Sequence, residues 1–180
     1  MHSLRLATRA DIPALAALMR DSVRALSVGY YDAPVVDAAL THILGVDTQL
    51  IDDGTYFVIE EGRELAAAGG WSRRRTLFGG DQFKAGVDDA LDPAMEPARI
   101  RAFYVHPAHA RRGLGRILFR ACAAAAWAAG FRRVELVATL PGEPLYLALG
   151  FTRLDEVVVP LPGNLEMRGW RMERALEEPE

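Results

Sequence analysis

The sequence predicts a single mixed α/β domain spanning residues 1–180, and three observations carry that reading. Segments of strand period and of helix period interleave along the whole chain, with no internal repeat and no linker between them. A strand, a glycine-punctuated turn, a long helix and a second strand follow one another between residues 98 and 140, a unit that should be parallel and right-handed. At 51% hydrophobic composition, a chain of 180 residues can build a core without staples.

Taken in order, "SLRLAT" alternates as a short opening strand. In "TRADIPALAALMRDSVRAL" the period changes: Ile12, Leu15, Leu18, Met19 and Val23 recur at helical spacing, Thr8 or Asp11 caps the start, and Pro13 fits a first turn. Gly29 and Pro34 interrupt the pattern in "SVGYYDAP", and "VVDAALTHIL" resumes it as a shorter helix. "TYFVIEEGRELAAAGGWS" predicts a hairpin turning at Glu61, Gly62 and Arg63. Its second strand is rich in Ala and Gly, poor strand formers whose presence points to close backbone packing.

Residues 73–97 are polar and Gly-bearing, a connection long enough to be either a functional lid or a spacer. "ARIRAFYVHP" reads as a strand ended by Pro107. "GLGRILFRACAAAAWAAG" is the strongest helix, with Leu114, Ile117, Leu118, Ala121, Cys122 and Ala125 on one face and Gly130 at its end. "FRRVELVATL" is a strand and "PGEPLYLAL" a short helix stopped by Gly150. "FTRLDEVVVPL" and "LEMRGWRMER" form a last strand pair around Pro162, Gly163 and Asn164.

Composition excludes several function classes. A net charge of −3 gives no general attraction to nucleic acid, although arginines cluster at 73–75, 111–116 and 132–133. Cys122 is the only cysteine, so no internal disulfide forms, and no Cys/His cluster has metal-ligand spacing. The N-terminus lacks the apolar core of a signal peptide, and no segment approaches the about 20 apolar residues of a membrane helix. The expectation is a soluble, cytoplasmic protein without metal, nucleic acid or membrane partner, with homodimer formation left open.

"VHPAHARRGLGR", residues 105–116, is the most informative stretch. A strand that runs through a Gly-bearing turn into a helix leaves the first helical N–H groups unpaired at the positive end of the dipole, where glycine lets a phosphate approach the backbone. Taken alone, Gly113 and Gly115 either build such a site or merely shape the turn. The P-loop pattern fails, since Gly115 is followed by Arg116 and Ile117, and a dinucleotide-binding turn wants a small residue where Leu118 stands.

The ordered set of motifs resembles the GCN5-related N-acetyltransferases. That family carries a Val-x-Pro-like strand end, a Gln/Arg-x-x-Gly-x-Gly/Ala turn opening a long helix, and an aromatic-Tyr-x-x-x-Gly-Phe segment. The corresponding residues are Val105-His106-Pro107, Arg111-Arg112-Gly113-Leu114-Gly115, and Leu145-Tyr146 running to Gly150-Phe151. "LRLATRADIPALAALM" is similar to the family's first strand and helix, so the likeness covers nearly the whole chain. Ala110 stands where the turn motif usually begins with Gln or Arg, and "LPGEP" stands where many members carry an Asn.

The resemblance implies a central, mixed, mostly antiparallel twisted sheet flanked by helices, and an acetyl-CoA-dependent N-acetyltransferase acting on a primary amine. Residues Arg111, Arg112, Gly113, Leu114, Gly115 and Arg116 would receive the coenzyme A pyrophosphate. The backbone of Phe103, Tyr104 and Val105 would pair with the pantetheine arm, one N–H polarising the thioester carbonyl. Tyr146 would donate to the leaving thiolate; on the sequence alone it reads instead as an ordinary helix residue with its ring in the core and its hydroxyl at the surface. Tyr30, Tyr31 and Trp71 would line an acceptor pocket, with Asp32 to attract an ammonium group, or the tyrosines would pack the second helix. The strand itself offers no base, leaving Glu60, Glu61, Asp32 and Glu96 as outside candidates. His106 and His109 read as polar surface, Cys122 and Trp127 as packing. The alternative is a noncatalytic acyl-CoA-binding module of the same fold.

Overall fold

The computed structural model describes residues 2–179, and among these the chain forms seven strands and five helices. They are β1 (His2–Leu6), α1 (Ile12–Leu26), α2 (Ala33–His42), α3 (Thr48–Asp52), β2 (Tyr56–Glu61), β3 (Glu64–Ser72), β4 (Ala98–Val105), α4 (Leu114–Ala128), β5 (Arg133–Thr139), α5 (Glu143–Ala148), β6 (Thr152–Leu161) and β7 (Leu165–Ala175). One sheet holds all seven strands in the order β1-β2-β3-β4-β5-β7-β6. Every pairing is antiparallel except β4 with β5, which are joined through α4. That crossover is the strand–helix–strand unit expected between residues 98 and 140.

The period-2 alternation of the central strands divides the core between two faces. Val58 and Ala68 pack against Leu15, Leu18 and Met19 of α1. Their neighbours Ile59 and Ala67 pack instead against Leu114 and Leu118 of α4. The buried stripe of α1 includes Ser22 where Val23 was expected, and that of α4 runs through Leu114, Leu118, Phe119, Cys122 and Ala126 while Ile117 lies exposed. Cys122 is fully buried, with its thiol raised well above its usual range by that burial. α3 was not foreseen, because five residues are too few to display a period.

The connection from Arg73 to Pro97 is neither lid nor spacer: it is strapped down. Arg101 of β4, 3% exposed, donates to the carbonyls of Thr76 (2.9 Å) and Gly79 (2.6 Å) and to Asp47 (2.9 Å). Asp47, 1% exposed, also caps α3 and takes the Lys84 ammonium. Arg74 with Asp53 (2.7 Å) and Arg75 with Glu96 (2.6 Å) secure its ends. Removing one partner of a buried pair such as Arg101 and Asp47 costs about 3–5 kcal/mol, so the strap is a fixed part of the structure.

Candidate active site

Beyond Val105, a single 3-10 turn over Pro107–His109 leads toward α4, with the His106 Nδ1 accepting the Ala108 N–H at 3.2 Å. Arg111 and Gly113 then both take left-handed backbone, with φ of +64° and +82°. Alternation of this kind gathers successive N–H groups on one side as a concave nest. Among the described residues, the amides of Arg111, Arg112, Gly113, Leu114 and Gly115 have no protein acceptor; helical bonding starts where Arg116 and Ile117 donate to the Gly113 carbonyl. Five free donors at the positive end of a 15-residue helix favour an anion.

The side chains around this nest divide by role. Arg111 and Arg116 are exposed and, among the described residues, make no ion pair. Arg112 is held by Glu61 (3.0 Å), which also contacts His109 (2.7 Å). Leu114 sends its side chain into the core. The space beside Gly113 is open, so its glycine is required by φ alone, whereas a Cβ on Gly115 would meet Leu145 Cδ2 at 2.7 Å. The missing side chain of Gly115 therefore seats α5 against α4, and only its N–H faces the nest.

Next to the nest the sheet opens. β4 and β5 pair only at Ala98 with Val134 and Arg99 with Glu135, yet β4 runs on to Val105 and β5 to Thr139. The other edge of β4 carries a bulge: Ala68 faces Tyr104 and Gly70 faces Arg101, so Ala102 and Phe103 together oppose Gly69. Ala102 stands at φ +54°, and Phe103 has no register partner on either neighbouring strand. The His106 N–H returns to β3 at Ala66 O (2.9 Å), while the Val105 N–H turns to Ser22 Oγ (3.3 Å).

Tyr146 of α5 closes the far side. Its ring lies 6.2 Å from that of Phe103 and 5.6 Å from that of Phe151, and it is 8% exposed. Its hydroxyl finds no hydrogen-bond partner among the described residues, and burial lifts the phenol well above its usual pKa, so it keeps its proton. Tyr104 points to the α1 face, its phenol pushed up to about 12 by burial although Arg101 opposes the shift. The β4 bulge, a protonated phenol and an anion nest thus adjoin one opening in the sheet.

Residues 17–151, well over half of the chain, match the sequence profile of the acetyltransferase (GNAT) family. The chain belongs to this family. GNAT proteins are acyltransferases that use acetyl-CoA. No curated protein matches the chain in sequence. Among solved structures, PaiA N-acetyltransferase from Thermoplasma acidophilum in complex with coenzyme A is 12% identical, covers 97% of this chain and 99% of its own, and superposes with a TM-score of 0.66. An N-acetyltransferase from Staphylococcus aureus gives 16%, 98%, 99% and 0.65. YncA from Salmonella typhimurium with its cofactor acetyl-CoA gives 21%, 99%, 98% and 0.63. These likenesses are of fold.

The expected acceptor-side residues do not converge. Trp71 is 4% exposed and packs edge-on to Phe131 at 6.1 Å, so this GNAT chain uses it as core and not as pocket wall; its place at the end of an Ala/Gly strand turns it inward. Tyr30 is exposed. Tyr31 donates to Arg168 O (2.5 Å) and accepts from Leu140 N (2.9 Å), bridging the end of the α1–α2 loop to β7 and to the β5–α5 turn. Beside that bridge lies an apolar cavity of about 60 Å³ bounded by Phe78, Val137, Val159 and Met167. A larger cleft of about 430 Å³ lies between α1 and α2. Tyr31→Phe should cost about 1–3 kcal/mol, because two backbone groups lose their partner; an unchanged melting temperature would remove the bridge.

The other side chains singled out by sequence are accounted for locally. Glu60 is held by Arg5, Glu61 by Arg112, and Glu96 by the Asp92 N–H and Arg75, each carboxyl lying below its ordinary range for that reason. Asp32 is exposed at the start of α2. Trp127 carries the Arg132 guanidinium 3.8 Å above its ring. Sequence reasoning missed Ser22, Tyr56 and Arg101. Ser22 alone left a signal, a polar residue on the apolar stripe of α1.

Proposed function

We propose that the protein transfers the acetyl group of acetyl-CoA to a primary amine, of a small molecule or a protein, by direct attack in a ternary complex. The observation that carries this reading is the run of five free N–H groups from Arg111 to Gly115, set beside the opening between β4 and β5. That nest, with Arg111 and Arg116 at its rim, suits a pyrophosphate, and the backbone of Phe103 to Val105 along the opening suits the pantetheine arm. Bound acetyl-CoA supplies a thioester whose acyl carbon is open to an amine. The Phe103 amide donates to the acyl oxygen as negative charge gathers there, a fixed dipole that needs no rearrangement. Tyr146 gives its phenolic proton to the departing sulfur.

Of the four candidate bases, Glu60, Glu61 and Glu96 are each committed to an arginine, and Asp32 lies in water at the start of α2. The amine therefore loses its proton to solvent. With an alkyl amine of pKa about 10, kcat/KM should climb about tenfold per pH unit through neutrality. Burial raises the Tyr146 phenol, so the acid stays protonated below its folded pKa and the rate should not fall before pH exceeds a phenol's ordinary value of about 10. A plateau setting in near pH 6–7 would reveal an enzyme-borne base and refute this account.

The same committed carboxylates favour a second reading, a noncatalytic acyl-CoA-binding module. Thiol release from acetyl-CoA across amines, amino acids, peptides and polyamines, with calorimetric binding of coenzyme A in parallel, separates the two. Binding and release are expected; binding without release with any amine would leave the module, and absence of binding would overturn both.

A further inference from the structure

We infer that Tyr56 is a positioning residue whose hydroxyl, 3.1 Å from the Ala102 carbonyl, holds the β4 bulge in its left-handed turn and so sets the direction of the Phe103 amide that follows. This rests on the acetyl-transfer reading for its catalytic consequence, but its structural half stands apart from it.

An alanine at φ +54° lies in a region that the Cβ of an L-residue disfavours, and such a conformation persists only where its surroundings over-determine it. The surroundings are visible. Arg101, on one side, is fixed by its bonds to Thr76, Gly79 and Asp47. Tyr104, on the other, is in register with Ala68. Between them, Ala102 is held by Tyr56, which is 0% exposed and has Ala102 as its side chain's hydrogen-bond partner.

β3 is shaped around this contact. A Cβ on Gly70 would meet Tyr56 Cδ2 at 2.8 Å, and one on Gly69 would meet the Phe103 ring at 2.5 Å. The adjacent glycines thus make room on opposite faces for the two aromatic rings that brace the bulge. Complete burial also keeps the Tyr56 phenol protonated, so it remains a donor across the working range of pH. Without that donor Ala102 relaxes toward negative φ, and the amide that follows it turns away from the opening. A rotation of that size at a positioned donor is worth roughly 10- to 100-fold in rate.

The test compares Tyr56→Phe, Ala102→Gly and the double variant. Tyr56→Phe should lower kcat roughly 10- to 100-fold with the KM for acetyl-CoA within about threefold. Glycine occupies left-handed backbone without strain, so adding Ala102→Gly should restore most of the lost rate. In the protein without cofactor, the Ala102 and Phe103 amide NMR signals should shift in Tyr56→Phe and return toward their parental positions in the double variant. A Tyr56→Phe enzyme at parental rate with parental signals, or a folded double variant as slow as the single one, overturns the inference. Should Tyr56→Phe not fold, Ala102→Val loads the same turn while leaving Tyr56 in place; a drop in kcat with coenzyme A affinity retained supports it, and an unchanged kcat overturns it. If no amine is acetylated by the parent, acetyl transfer fails as a reading while the NMR comparison still decides whether Tyr56 holds the bulge.

Discussion

Tyr146→Phe is expected to lower kcat by about 10²- to 10³-fold, within the range typical of a positioned acid. The substitution isolates the hydroxyl. The Phe ring keeps its contacts with Phe103 and Phe151, and the hydroxyl has no protein partner among the described residues to leave stranded. The melting temperature should therefore hold. Coenzyme A affinity should stay within a few-fold, because a donor to sulfur matters mainly as the carbon–sulfur bond breaks. Turnover is measured with the best acceptor of the thiol-release panel. Parental turnover would return Tyr146 to the status of a packing residue, with water protonating the thiolate.

The other large effect is at Gly113. A β-branched side chain cannot hold φ +82°, and no neighbour lies within 4 Å of the Cβ it would add, so Gly113→Val perturbs the backbone and little else. With the nest unwound, coenzyme A affinity should fall about 100-fold or more by calorimetry while the melting temperature drops little. Gly115→Val should behave differently, since its Cβ drives into Leu145 on the helix that carries Tyr146. Lost stability and kcat, with a smaller loss of affinity, is the expected pattern there. Equal and selective loss of affinity in both variants would mean that both glycines admit the phosphate, and the packing role of Gly115 would be withdrawn.

Much of the architecture was legible because local pattern and global fold agree. The period of α1 and the glycine turn before α4 are short-range features, and a strand–helix–strand order around residues 98–140 predicts a parallel pair, because a helical crossover returns the chain to the end of the sheet it left. The pocket walls were harder. Trp71 and Tyr31 are aromatic residues at loop or strand ends, a pattern shared by ligand contacts and by structural pins, and only their partners, Phe131 for one and the Leu140 and Arg168 backbone for the other, separate the two. The bulge was invisible because Ala102 looks like any strand alanine; its left-handed turn is imposed by Tyr56, 46 residues away in sequence. Asp47 and Arg101 likewise meet across 54 residues, a separation that no local rule spans.

The two-rung contact between β4 and β5 has a consequence for cohesion. Strands β1–β4 close one ladder and β5–β7 another, so the molecule is two hydrogen-bonded leaves stitched at Ala98 and Arg99 and otherwise glued by side chains and α4. A ligand lying along the stitch line is a splint. Its binding and the adhesion of the leaves then become one equilibrium, and a ligand present at 100 times its Kd adds about 2.7 kcal/mol to the folded state. The supply of acetyl-CoA would in this way govern how long each copy of the protein survives as well as how fast it turns over.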